Sequence, residues 1–304
     1  MSDMILRTLD LTKRYGNRLA VDHLNIEVRQ GDIFGFLGPN GAGKSTTIRM
    51  MLHLIFPSGG DVELFGMSLK KNRHKALEKV GAIVESPAFY GHLSARRNLE
   101  ILGGLQRPVS RHTMTEHLER VGLVDRADDL VKTYSHGMNQ RLGLALALIK
   151  NPELVILDEP TTGLDPQGMK EVRDLIRELS RDRGVTVFLS SHLLYEVEMM
   201  ATRMAVIHHG RLRIEGGVQD LLRQGPSSVH VKTDRPAEAL NLLKSNERYR
   251  SVELHSDGVV VELDQQRIPE LNQYLVDAGF HVHALVPKRT LETYFLNLIE
   301  GRED

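Results

Sequence analysis

The stretch Gly38-Pro39-Asn40-Gly41-Ala42-Gly43-Lys44-Ser45-Thr46 constrains this chain more than any other part of it. It follows an apolar run, Ile33-Phe34-Gly35-Phe36-Leu37, that reads as a buried strand, and leads into Thr47-Ile48-Arg49-Met50-Met51-Leu52, which reads as a helix. A G-x-x-x-x-G-K-S pattern between a strand and a helix is a phosphate-binding loop, because glycines let successive backbone N–H groups turn inward and the helix start adds positive potential. In that setting Lys44 reaches the β- and γ-phosphates as a point charge, and the Ser45 hydroxyl ligates Mg²⁺. A glycine-rich turn without a ligand is the plain alternative.

The 304 residues suffice for about two domains. A formal net charge of −1 leaves no electrostatic footprint for nucleic acid, so none is expected as a partner. No run approaches the roughly 18 to 20 apolar residues of a membrane span, and the longest, Leu142 to Ile149, is closed by Arg141 and Lys150. The first fifteen residues scatter Asp3, Arg7, Asp10, Lys13 and Arg14, which argues against a secretory signal. The absence of cysteine excludes disulfides and thiolate metal sites and agrees with a reducing compartment.

Strands and helices alternate over the first two thirds. Leu6–Leu11 and Leu24–Val28 read as half-buried strands around a Tyr15-Gly16-Asn17 turn, followed after the loop by strands near 62–66 and 80–84. Residues 90–150 are mostly helical, and strands return at Leu154–Leu157 and Val185–Leu189, separated by a helix over 171–180. Gln224-Gly225-Pro226-Ser227-Ser228 marks a composition break. Beyond it the pattern predicts strand 229–232, helix 236–244, strands 252–254 and 259–263, helix 269–278, strand 281–286 and helix 291–299. We therefore expect an α/β domain over 1–224, with a helical subdomain near 90–150, and a small α+β domain over 225–304.

Three further patterns carry chemistry. Leu154-Val155-Ile156-Leu157-Asp158-Glu159-Pro160 is an apolar strand ending in two carboxylates, which can bring Asp158 to a magnesium shell and leave Glu159 to polarise a water in line with a γ-phosphate. The same pair also occurs as a solvated strand end. Tyr134-Ser135-His136-Gly137-Met138-Asn139-Gln140-Arg141 opens a helix with a hydroxyl at Ser135 and free N–H groups near Gly137, an anion site or an ordinary N-cap. Ser190-Ser191-His192 leaves a strand with an imidazole that can hydrogen-bond near a γ-phosphate or serve structure alone. His281 and His283 could share a strand face, a metal site that lacks a third nearby ligand or simply two exposed strand histidines, and the pair His208-His209 before Gly210 reads as a turn.

Together these residues resemble the ATP-binding cassette of ABC transporters over about residues 4 to 220, which implies a P-loop NTPase of the cassette type: a mixed sheet core, an antiparallel β subdomain and a helical subdomain. In that resemblance Gly38 to Thr46 is the Walker A loop, Val155 to Asp158 the Walker B strand, Glu159 the catalytic glutamate, Gly163-Leu164-Asp165 the D-loop and His192 the switch histidine. Tyr15 stands where the family stacks an aromatic ring on adenine. The family signature Leu-Ser-Gly-Gly-Gln is altered at Tyr134, His136 and Met138 but keeps Ser135 and Gly137. Glu85 occupies the place of the Q-loop glutamine, which implies an acidic group near the metal. A glutamate there, followed by Ser-Pro-Ala-Phe-Tyr, resembles exporters of the bacitracin and lantibiotic self-protection type, and the tail resembles their accessory domain.

The resemblance implies ATP and Mg²⁺ as ligands and a head-to-tail homodimer or heterodimer of cassettes. It also implies a separately encoded integral-membrane permease, contacted around Glu85 to Asn98, and hence a cytoplasmic protein held on the inner face of the cell membrane. A regulatory ATP sensor and the ATP-binding subunit of an importer are the competing readings.

Overall fold

The structure is a computed structural model that describes residues 4–288 except 86, 106–107, 225–227 and 256–257. It divides into two compact units, Met1–Val218 and Gln219–Asp304, a division just ahead of the composition break at 224–228. The helix expected over 291–299 lies outside the described residues.

The first unit opens with β1 (Met4–Tyr15), β2 (Arg18–Leu24), β3 (Glu27–Arg29) and β4 (Ile33–Leu37), then α1 (Lys44–Met51), β5 (Gly59–Leu64), β6 (Met67–Ser68), α2 (Leu69–Leu77) and β7 (Val80–Ile83). It continues through α3 (Ala95–Gly103), α4 (Arg111–Arg120), α5 (His136–Leu148), β8 (Leu154–Asp158), α6 (Pro166–Arg183), β9 (Thr186–Ser191), α7 (Leu194–Met200), β10 (Arg203–His208) and β11 (Arg211–Gly217).

The continuously apolar runs form the centre of a six-stranded sheet in the order β11-β10-β4-β9-β8-β7. All neighbours in it are parallel except the β10–β11 hairpin. Every residue of β4, β8 and β9 is buried, as expected of strands covered on both faces. Phe34 stacks on Phe188 at a centroid distance of 5.7 Å, and Phe36 meets the same ring at 5.5 Å, locking β4 to β9 through their side chains. Register then aligns the strand ends. Leu37 pairs with Ser191 and Asp158 with Ser190, so the loop after β4, the carboxylates after β8 and the histidine after β9 all leave the sheet along one edge. Binding groups in parallel sheets gather at such carboxyl ends.

A second sheet, antiparallel in its pairings, follows the order β2-β1-β5-β6, with β3 also on β1. The strand expected over 24–28 is broken in two. The Thr8 hydroxyl, buried to 1% exposure, donates to the Leu24 carbonyl and accepts from the Ile26 N–H, taking backbone partners that an unbroken strand would use. β10 and β11 were not anticipated, although Met204-Ala205-Val206-Ile207 and Gly210 carry the signal of an apolar strand and a turn. His208 and His209 end β10 and enter that turn. The helices of the 90–150 region start on serines, since Ser94, Ser110 and Ser135 each accept a hydrogen bond from the N–H three residues on.

The second unit comprises α8 (Val218–Gln224, whose first residue ends the first unit), β12 (Ser228–Thr233), α9 (Pro236–Lys244), β13 (Arg250–His255), β14 (Gly258–Glu262), α10 (Ile268–Asp277) and β15 (Val282–Lys288). Its antiparallel sheet runs β13-β14-β12-β15. Val229, Val231, Val259 and Val261 alternate inward and meet Leu243 of α9 and Leu271 and Leu275 of α10 in a separate core. His283 lies in β15 and His281 just before it, and among the described residues no group of three side chains could hold a metal ion. Nor is any described helix long and apolar enough to cross a membrane.

Candidate functional site

The loop between β4 and α1 wraps a lysine. Gly43 stands at the helix N-cap with φ 112°, and a Cβ there would lie 2.5 Å from the Ala20 carbonyl, so only glycine fits. Its carbonyl accepts both the Thr47 N–H and the Thr47 hydroxyl at 2.9 Å, anchoring the first turn of α1. Ala42 donates to the Pro39 carbonyl and accepts from the Gly210 N–H, tying the loop to the β10–β11 turn. Lys44, only 5% exposed, donates to the carbonyls of Gly38 (2.7 Å) and Pro39 (3.3 Å) and meets Glu159 Oε1 at 3.2 Å. A buried ammonium needs such partners.

The neighbouring strand ends supply the rest. Asp158 is 6% exposed and accepts from the Ser190 hydroxyl at 2.6 Å. The same hydroxyl accepts from the Glu159 N–H at 3.0 Å, which fixes the backbone where Glu159 adopts φ 49°. Glu159 Oε2 accepts from the Thr162 hydroxyl at 2.8 Å and meets His192 Nδ1 at 2.9 Å. Burial pushes the Glu159 carboxyl up. The Thr162 hydrogen bond and the charges of Lys44 and His192 outweigh it and hold the group below its ordinary 4.5. Glu159 therefore stands ionised at neutral pH, between a cation and an imidazole.

Removing the Thr162 hydroxyl tests this balance. A hydrogen bond to the charged form lowers a pKa, so Thr162→Val should raise that of Glu159, and activity needing the carboxylate should fail at higher pH as acid is added. The expected result is an acid limb of the kcat profile displaced upward relative to the natural protein.

An open cleft of about 390 Å³ lies over these groups, lined by Tyr15, Arg18, Ala20, Asn40, Gly41, Gly43, Lys44, Ser45, Thr46 and Glu159. Tyr15 is half exposed at the end of β1, with the Lys13 ammonium 5.0 Å from its ring centre. No motif in the sequence marks Arg18 or Thr162, and Ser190 stands there only as the first residue of the Ser190-Ser191-His192 pattern, without a role of its own; strand register and the turn after Glu159 bring all three in. A second cleft, about 310 Å³, is lined by Ser135, His136, Gly137, Arg141, Gly163, Leu164, Asp165 and Glu171 among others. Ser135 and Gly137 thus share a cleft with the Asp165 region and not with Lys44. Glu85 lies apart from both clefts. Its carboxylate, 65% exposed, is ion-paired with Arg49, which α1 presents one turn beyond Ser45 on the same face. A roomier cleft of about 500 Å³, lined by His117, Arg120 and Arg183, contains none of the motif residues, so chemistry and not volume selects the site.

The family model described as "ABC transporter" matches residues 21–162. The chain is 44% identical to the bacitracin transport ATP-binding protein BcrA of Bacillus licheniformis, with 98% of each chain covered. It is 38% identical to the daunorubicin/doxorubicin resistance ATP-binding protein DrrA of Streptomyces peucetius, over 83% of this chain and 78% of that one. A solved structure titled as the ATP binding subunit of an ABC transporter superposes with a TM-score of 0.63 at 27% identity, covering 72% of this chain and 92% of that one. A lysine-bearing phosphate loop beside two strand-end carboxylates, in a fold shared with such a subunit and a sequence shared end to end with such proteins, places the chain in the ABC transporter family, as an ATP-hydrolysing cassette.

Proposed function

We propose that this cassette powers the export of a bacitracin-like peptide or related drug, working with a second cassette beneath a separately encoded membrane permease. The observation that supports it is the 44% identity to a bacitracin transport ATP-binding protein, which extends through the second unit as well as the cassette.

The residues divide the work by their chemistry. Tyr15 offers a π-face to adenine, and Asn40, Gly41 and Gly43 turn backbone N–H groups toward phosphate oxygens at the head of α1, while the Ala42 N–H, bonded to Pro39, holds the loop in shape. Lys44 holds the β- and γ-phosphates, and Thr46 closes the loop side of the cleft. Arg18 adds a second cation at the rim. The donor set fits magnesium: the Ser45 hydroxyl and the buried Asp158 carboxylate, oriented by Ser190, are hard oxygen ligands. When bound, Mg²⁺ supplies charge neutralisation to the phosphate oxygens. A γ-phosphate carries more charge than a carboxylate and takes the place of Glu159 at Lys44. Glu159, retained by Thr162 and His192, then faces the terminal phosphate as general base for water, with His192 beside it. Glu85 joins the metal shell only by exchanging Arg49 for a metal-bound water.

Ser135 and Gly137, at the capped start of α5, face a cleft that lacks a phosphate loop, while the Lys44 cleft lacks a helix start opposite it. Head-to-tail pairing with another cassette, a copy of this chain or a separate one, supplies each cleft with what it lacks. The region around Glu85 to Asn98, with Tyr90 exposed, meets the permease and holds the chain on the inner face of the membrane.

Expression with its permease in a bacitracin-sensitive host tests the reading. The expected result is a rise in the inhibitory concentration of bacitracin that disappears with Glu159→Gln. Active ATP turnover with no change in susceptibility to bacitracin or a related peptide would overturn the export assignment.

A further inference from the structure

His136 stands where the family signature has glycine, and its ring does more than fill space. Its Nε2 donates to the Thr162 carbonyl at 3.2 Å. Thr162 belongs to the tight turn after Glu159: its N–H donates to the Glu159 carbonyl at 3.2 Å, and its hydroxyl donates to Glu159 Oε2 at 2.8 Å. The next residue, Gly163, has φ +77°, and a Cβ there would lie 3.2 Å from the same ring nitrogen, so the imidazole is laid directly on the turn. Glu159 itself is held from the other side by Ser190 and His192.

A continuous path of hydrogen bonds therefore runs within one chain from the start of α5 to the carboxylate that faces the Lys44 cleft. The helix start and the Lys44 cleft are otherwise separate places lined by different residues.

We infer that His136 is a positioning residue for Glu159 of its own chain, acting through the Thr162 turn, so that a shift of the α5 start is felt at the catalytic carboxylate. The inference rests on the reading of Glu159 as general base. A turn closed by both a backbone and a side-chain hydrogen bond moves as one piece, and small displacements of a general base reduce turnover steeply while leaving substrate binding alone. His136 is exposed at a helix start, so leucine and glutamine are both accommodated there without disturbing a core.

The test is a double-mutant cycle on the full-length protein, measured as Mg·ATP turnover. His136→Leu should lower kcat about tenfold with KM changed less than about twofold, and His136→Gln, which keeps an N–H donor, should recover most of the loss. In a Thr162→Val background, where the turn no longer grips the carboxylate, His136→Leu should cost less than about a further twofold. Multiplicative losses, a KM effect as large as the kcat effect, or glutamine behaving as leucine would each overturn the role, because the first shows that His136 and Thr162 act independently, the second that the effect lies in binding, and the third that the N–H to Thr162 is not the link. Glu159→Gln run alongside separates the two levels. Near-normal turnover in that variant removes the general base itself, whereas its loss together with an additive cycle removes only His136.

Discussion

Glu159→Gln is expected to lower ATP turnover about a thousandfold while the protein still retains the nucleotide, within the range that a positioned general base contributes. Glutamine keeps the shape and can still accept from Thr162, but it has no charge with which to polarise water. It also ends the ion pair with Lys44, which leaves the ammonium more available to phosphate, so affinity should hold or rise. Single-turnover phosphate release, measured beside equilibrium ATP binding, separates the two quantities. Rapid release from the variant would remove Glu159 from the chemical step.

Lys44→Ala should instead act on binding, weakening ATP about a hundredfold, as expected for loss of a charged hydrogen-bond donor to phosphate. The structure adds a second consequence. Lys44 is a cause of the lowered Glu159 pKa, so alanine lets that carboxyl drift upward and reduces whatever turnover remains at low pH. The buried carbonyl of Gly38 also loses its Lys44 donor, whereas that of Pro39 keeps the Ala42 N–H. Calorimetry with ATP and magnesium reads the affinity directly, and an unchanged value would exclude Lys44 from the site.

Much of the site is legible in the chain because its pieces are local. Strand, loop, lysine and helix run without interruption from Ile33 to Met51, about as much chain as one turn needs to present its N–H groups and one ammonium to a phosphate. Asp158 and Glu159 announce themselves at the end of an apolar run for the same reason. Ser190, by contrast, draws notice in sequence only as a neighbour of His192, with nothing to link it to Asp158 or Glu159. It orients both carboxylate residues only because β8 and β9 pair with Asp158 opposite it. Glu85 shows the reverse: motif position ties it to the metal, whereas the helix face of α1 puts Arg49 within its reach.

The amino-acid sequence by itself determined the phosphate loop, the strand-end carboxylates, the alternation of strands and helices and the break before the second unit, since each depends on neighbours along the chain. Tertiary structure alone decided that Thr162 and His192 grip Glu159, that Ser190 serves two residues at once, that Thr8 splits a strand and that His136 rests on the Thr162 turn. These contacts join residues through strand register and close backbone approach, and a hydrogen bond depends on ångström distances that spacing along a chain does not encode.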